Sequence, residues 1–255
     1  MRAVVLAGGP RDDEVARLQP GVPSKAFVRI AGLTLLERVL RGLREARTID
    51  GIRVVVPSDA FGDPALAGVE VRPSGERMVD SLRNALDGFD PDTALLATAS
   101  DVALLSGDVI DSFVRDAAAL DADLVYAMVR KETHLARYPE LPHTWAPLRE
   151  GTFCGGGFVL LKPRVLPKLF EAVETFGAAR KSPLKLASLL GWGTIWRFAL
   201  RRLSVRYVER RVRALTGIDA RGLECRHAEA AVNVDRASDV EAVERLIAAG
   251  RTPVS

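Results

Sequence analysis

The residues with the most chemical potential in this chain of 255 amino acids stand just past short apolar runs. Leu6-Ala7-Gly8-Gly9 closes the run that begins at Ala3. Paired glycines let backbone approach a ligand closely and turn N–H groups toward negative charge. No third glycine follows at dinucleotide spacing, and no Gly-Lys-Ser/Thr follows either, so the loop is neither a dinucleotide fingerprint nor a P-loop. Lys25, in Pro23-Ser24-Lys25-Ala26, could neutralise phosphates held by that loop. A tight strand-to-loop turn and a solvated lysine are the competing readings.

Two aspartates repeat one situation. Asp101 follows the buried run Ala94-Leu95-Leu96-Ala97, and Asp235 follows Ala230 to Val234. Mg²⁺ in nucleotide enzymes is typically held by one or two carboxylates plus substrate phosphates. Two strand-end carboxylates meeting across a sheet could share such an ion; turn or capping aspartates are the alternative. Asp239 reads as a helix-capping or dipole-favouring residue. Arg72-Pro73-Ser74-Gly75-Glu76-Arg77, with Ser81 and Asn84 beyond it, offers backbone donors at a helix start. Gly155-Gly156-Gly157 permits close backbone approach, with a β-bulge as the competing reason. Lys131 and Arg137 could meet an anion or simply face solvent. The three histidines, His134, His143 and His227, are scattered and read as surface or turn residues.

These groups need a scaffold, and hydrophobic periodicity supplies one. Strands are expected at Ala3–Leu6, Ile52–Val56, Ala94–Ala97, Leu124–Val129, Phe153–Leu161 and Ala230–Asp235. Helices are expected from a Thr34 cap through Ala46, over Glu76–Leu86, from Ser106 to Ala119, over Leu166–Thr175, and from Ser238, where Glu241 stands at capping-box spacing. Lys131–Gly151 reads as a polar, proline-punctuated loop. Strands alternating with helices predict an α/β fold in three α/β/α layers with a mainly parallel, Rossmann-like sheet. A single domain over residues 1–255 is expected, carrying a basic helical insertion at residues 180–215.

The set of motifs, in this order, resembles the MobA-like family of NTP transferases within the GT-A-like nucleotidyltransferases. The resemblance rests on Leu6-Ala7-Gly8-Gly9, on Lys25 followed by Gly32 and a helix, on Asp101 after a buried strand, and on Asn233-Val234-Asp235 before Ser238-Asp239-Val240. It implies that Leu6, Ala7, Gly8, Gly9, Lys25, Gly75 and Ser81 bind the nucleotide. It also implies that Lys25 and Asp101 are catalytic, that Asp101 and Asp235 hold Mg²⁺, and that Gly156 and Gly157 face the acceptor. The implied reaction transfers a nucleoside monophosphate from an NTP to a small phosphorylated acceptor, releasing pyrophosphate. An acceptor that is already a phosphate anion needs no general base, and positioning and charge neutralisation supply most of the catalysis. The chain departs from the pattern in its loop, which continues Pro10-Arg11-Asp12-Asp13-Glu14 with Asp13 where the family has arginine. It also lacks the family's frequent proline after Asp101.

Two other readings compete. A nucleotide-sugar glycosyltransferase would use the same fold, but its Asp-x-Asp motif is missing from Ser100-Asp101-Val102. A non-catalytic nucleotide-binding or scaffold protein is suggested by the acidic loop.

Composition narrows the partners. With 48% hydrophobic and 27% charged residues the chain is an ordinary globular one. No signal-peptide pattern opens it, and Leu186–Trp196, its longest apolar stretch, is far short of the ~20 residues that cross a bilayer. Two cysteines, Cys154 and Cys225, fit a reducing cytoplasm. The formal charge of +3 is unevenly spread: residues 180–213 carry ten Lys and Arg against one Glu. The rest of the chain is acidic. Interleaved with Trp192, Trp196 and Phe198, that basic stretch reads first as a helical subdomain over the acceptor site or a dimer contact, second as a membrane-surface helix, and last as a nucleic-acid surface.

Overall fold

The computed structural model describes residues 1–179 and 191–251. Its first strand, β1 (Arg2–Leu6), is followed by a small antiparallel hairpin, β2 (Arg29–Ile30) and β3 (Leu33–Thr34). Helix α1 (Leu35–Glu45) starts where expected because Thr34 and Glu37 cap each other: the Glu37 N–H donates to Thr34 Oγ1 (3.0 Å) and the Thr34 N–H to Glu37 Oε2 (2.6 Å). Leu35, Leu36, Val39, Leu40 and Leu43 form its fully buried face. Then come β4 (Gly51–Val56), β5 (Glu70–Pro73), α2 (Met78–Leu86), β6 (Leu95–Ala99), α3 (Gly107–Ala118) and β7 (Leu124–Arg130).

Past β7 the chain departs from the expected loop. Lys131–Arg137 is helix α4, and Ala146–Leu148 is strand β8, paired with the long β9 (Gly151–Leu161). The polar composition hid α4 because its inward face is a histidine, His134, instead of an aliphatic residue. Helix α5 (Leu166–Ala179) follows. Of the expected basic helical stretch, residues 180–190 lie outside the described residues; the remainder forms α6 (Trp192–Ala199) and α7 (Val205–Thr216). Strand β10 (Ala220–Cys225) and helix α8 (Ala237–Ala248) complete the order.

The main sheet runs β10-β7-β9-β6-β1-β4-β5, with β8 beside β9. Every pair is parallel except those involving β9, which is antiparallel to β6, β7 and β8. The fold is thus the expected α/β class with a mostly parallel sheet flanked by helices. Ala3, Val4 and Val5 of β1 and Val54, Val55 and Val56 of β4 are fully buried, as strands covered on both faces must be.

The expected strand Ala230–Asp235 is not a strand. Ala228–Ala231 forms a single 3-10 turn, and the chain then runs extended, with Asn233 in an antiparallel bridge to Val102. Its small apolar residues pack on the face of the sheet: a Cβ on Gly156 of β9 would stand 3.2 Å from the Ala230 carbonyl. Face packing produced the same apolar pattern that a buried strand would. Helix α8 begins at Ala237, one residue before the expected Ser238. Its start is held by Asp239, whose carboxylate accepts from the backbone N–H groups of Asp235 (3.0 Å) and Arg236 (2.9 Å).

Candidate active site

Strands β1, β6 and β7 run the same way, so their carboxyl ends share one edge of the sheet. The glycine loop leaves β1 there, and Asp101 follows β6. Lys25 reaches the same place from the turn at Lys25–Phe27. Its Nζ lies 2.5 Å from Asp101 Oδ2 and 2.9 Å from Asp235 Oδ1, and it donates to the Val234 carbonyl (3.4 Å). Three residues far apart in sequence therefore meet at one ammonium group.

Burial and charge compete here. The Lys25 and Asp101 side chains are 19% and 9% exposed, whereas that of Asp235 is 65% exposed. Burial works against the lysine charge, but the two carboxylates overcome it and hold its pKa above the ordinary lysine value. Burial, with help from Asp235, pushes the Asp101 carboxyl up while Lys25 opposes it. Asp101 Oδ1 is buried without a hydrogen-bond partner, as is Asn233 Oδ1 two residues before Asp235. Buried oxygens left unpaired are costly, and these two, one carboxylate and one amide, are hard oxygen donors of the kind Mg²⁺ takes.

The glycine loop is shaped by close approach. A Cβ on Gly8 would fall 2.2 Å from the Ser74 Cβ, so the loops after β1 and β5 touch, whereas nothing lies within 4 Å of a Cβ on Gly9. The Ser74 N–H donates to the Val56 carbonyl (2.8 Å), and the Ala7 N–H to the Val55 carbonyl (2.8 Å). Ser81, expected on the nucleotide side, is buried, and its Oγ accepts from the Gly75 N–H (3.0 Å). Asn84 donates to the Pro73 carbonyl (3.0 Å). Both side chains thus brace the second loop. Ser24 is a residue that sequence reasoning missed: fully buried, it donates from Oγ to the Ala7 carbonyl (2.7 Å), tying the lysine to the glycine loop. A polar residue directly before Lys25 was its sole signal.

The acidic continuation of the loop has structural work. Asp13 accepts from the Val15 N–H (2.9 Å), and Glu14 accepts from the Ala237 N–H (2.9 Å) at the start of α8. Arg11 pairs with Asp59. Asp13 and Glu14 thus hold the loop and the helix that follows Asp235.

On the far side of the site, a Cβ on Gly157 would sit 2.1 Å from Val102 Cγ2, and one on Gly155 2.0 Å from the Tyr126 hydroxyl. The β7–β9 register also shifts between Tyr126 and Met128. Packing and the bulge are together sufficient to require these glycines, and Gly157 also adjoins the Asn233 amide oxygen, at 3.2 Å from its added Cβ. Lys131 lies over the Trp145 ring (5.6 Å), and Arg137 pairs with Glu229 (2.8 Å).

Two of the three histidines meet, while His227 stands apart in the turn before Ala228. His134 is fully buried, and its ring meets that of His143 edge-on at 4.3 Å, with Trp145 beside both. Burial and then His143 push the His134 pKa down to about 4. Burial also lowers that of His143, against the pull of Asp239 and Asp235. Helix α4, which carries His134, packs against the Ala228–Ala231 turn that leads on to Asp235. Cys154 and Cys225 are both free and buried.

Solved structures of low sequence identity share this α/β fold, and a domain profile sets the class. The chain belongs to the MobA-like NTP transferase family, whose domain profile matches residues 3–214. A hypothetical transferase from Thermus thermophilus is 34% identical, with a TM-score of 0.80 over 94% of this chain and 98% of that one. A CMP:2-keto-3-deoxy-manno-octonic acid synthetase complexed with CTP shares the fold at 13% identity, with a TM-score of 0.61 over 98% of this chain and 100% of the other. A bifunctional IspD/IspF enzyme of Anaeromyxobacter dehalogenans is 32% identical over 130 residues. That match spans 48% of this chain and 34% of the relative.

Proposed function

We propose that this chain is a cytoplasmic, Mg²⁺-dependent nucleotidyltransferase that moves a nucleoside monophosphate from an NTP to a small phosphorylated acceptor, releasing pyrophosphate. The observation that carries the reading is the convergence of Lys25, Asp101 and Asp235 at the sheet edge where the glycine loop ends. The family relationship supports the same reaction class.

Each residue then has a distinct task. The open backbone at Gly9 receives the phosphates, and the Gly8–Ser74 contact fixes the loop that does so. Lys25 supplies a fixed positive charge for the phosphates, and its neighbours keep it protonated at any physiological pH. Asp101 and Asp235 would hold Mg²⁺, which when bound neutralises phosphate charge during transfer. Ser24 keeps the lysine in register with the loop. The acceptor approaches from the β9 side, past Gly156 and Gly157.

The test is pyrophosphate release from a panel of NTPs and phosphorylated acceptors with Mg²⁺. Asp101→Ala should lower turnover by about 10² or more, as removal of one preorganised electrostatic group does elsewhere. Undiminished release by that variant would overturn the assignment.

A further inference from the structure

Helix α6 exposes its aromatic residues to solvent. Trp192, Trp196 and Leu200 recur every four residues along one face and are 58%, 64% and 58% exposed; Phe198 is 51% exposed. The other face is anchored. Thr194 is buried with its hydroxyl 3.2 Å from that of Tyr207 on α7, and the Arg197 guanidinium lies over the Tyr207 ring at 4.5 Å. The outward stripe is therefore held in place by the inward contacts.

The segment that carries this stripe is basic. Arg201 and Arg202 follow α6 and are exposed, and Arg206, Arg210 and Arg213 are exposed along α7. The single acidic residue of α7, Glu209, accepts from the Gly222 N–H (3.0 Å) and pairs with Arg221 (3.8 Å), against the five exposed arginines. The Leu203 carbonyl accepts from the Arg149 N–H (2.8 Å), so the α6–α7 turn rests on the β8–β9 turn at the carboxyl edge of the sheet. The α6–α7 turn, with Arg201 and Arg202 just before it, thus stands at the same edge as Lys25 and Asp101.

We propose that this surface docks on an anionic lipid bilayer. Indole rings favour the boundary between headgroups and acyl chains. Arginines beside them are drawn to acidic headgroups, and the combination marks helices that lie in the interface. A protein partner would have to match both the stripe and the arginines in shape, whereas a bilayer needs only their chemistry. The surface stands on its own residues, independently of nucleotidyl transfer.

The test is flotation of the full chain with vesicles. Wild type should float with equimolar phosphatidylcholine and phosphatidylglycerol, stay behind with phosphatidylcholine alone, and be released by salt. Its tryptophan emission should shift to the blue on binding. The double variant Trp192→Ser, Trp196→Ser should lose the blue shift, and Arg201→Gln, Arg202→Gln should weaken binding by about tenfold. Both alter exposed side chains, so their melting temperatures should match wild type and pyrophosphate release should persist. No flotation with the anionic vesicles at low salt, or undiminished flotation of the tryptophan variant, overturns the proposal. So does sedimentation as a dimer that the tryptophan substitutions dissolve, since the face would then be a subunit contact.

Discussion

Lys25, Asp101, Ser24 and Asp239 lie at or beside the carboxyl edge of the sheet, and the last three are almost fully buried. All four make contacts that span several loops. In α6 and α7 Thr194 is the one buried residue, while tryptophans, phenylalanine and arginines face outward. Both regions are rich in charge, but only one removes it from water. Desolvated polar groups depend on their partners, because a buried charge without compensation costs far more than an exposed one. The edge should therefore be fragile to single substitutions in both stability and chemistry. The helical pair should tolerate changes in stability and show their effect in what it binds.

The largest test of this contrast is Lys25→Met. It removes the counter-charge from Asp101, which is 6% exposed, and should cost about 3 kcal/mol in urea unfolding. Adding Asp101→Asn, which discharges the stranded carboxylate, should recover most of that loss while activity stays abolished. A Lys25→Met protein as stable as wild type would show that the edge is more solvated than its burial implies, and the contrast would fail at its strongest point.

A pH measurement probes the same region. The His134 pKa is about 4 in the fold, against ~6.5 for an unfolded histidine. The unfolded chain therefore binds the proton more readily between those values, so stability present at neutral pH is lost as pH falls from ~6.5 toward 4. The expected loss from this group between pH 7 and pH 4.5 is about 2 kcal/mol. His134→Leu should remove that component, giving a shallower slope than wild type; parallel slopes would mean that the ring is hydrated.

The parts of the molecule that were legible in the sequence are those in which one residue carries its own signal. Thr34 followed by Glu37 announced a helix start, and the runs at Val4, Val54 and Leu95 announced buried strands. Gly8 and Asp101 were readable because each lies just beyond such a run, and Lys25 because it stands before the apolar Ala26-Phe27-Val28. What was hidden depends on neighbours distant in sequence. Ala228–Ala231 carried a strand-like pattern that only its packing on β9 reveals as a turn. His134 looked like a surface residue because its companion His143 arrives from the following loop. Nothing local in the acidic loop announces that Glu14 braces the start of α8, 223 residues away. Local rules read elements well, but closure of the site is a tertiary event.

The smallest expected effect lies in the helical pair and gives the contrast its sharpest form. Tyr207→Phe removes the hydroxyl that meets Thr194 while keeping the ring beneath Arg197. A partly exposed, water-replaceable hydrogen bond contributes about 0.5–1 kcal/mol. For a protein of this size that corresponds to a melting temperature lower by about 1–3 °C. Transfer activity should be unchanged, since the substitution touches nothing at Lys25 or Asp101. A drop comparable to that of Lys25→Met would mean that α6 and α7 are a structural part of the body. The arginines would then be holding the fold together, and their outward placement would no longer mark a surface made for a partner.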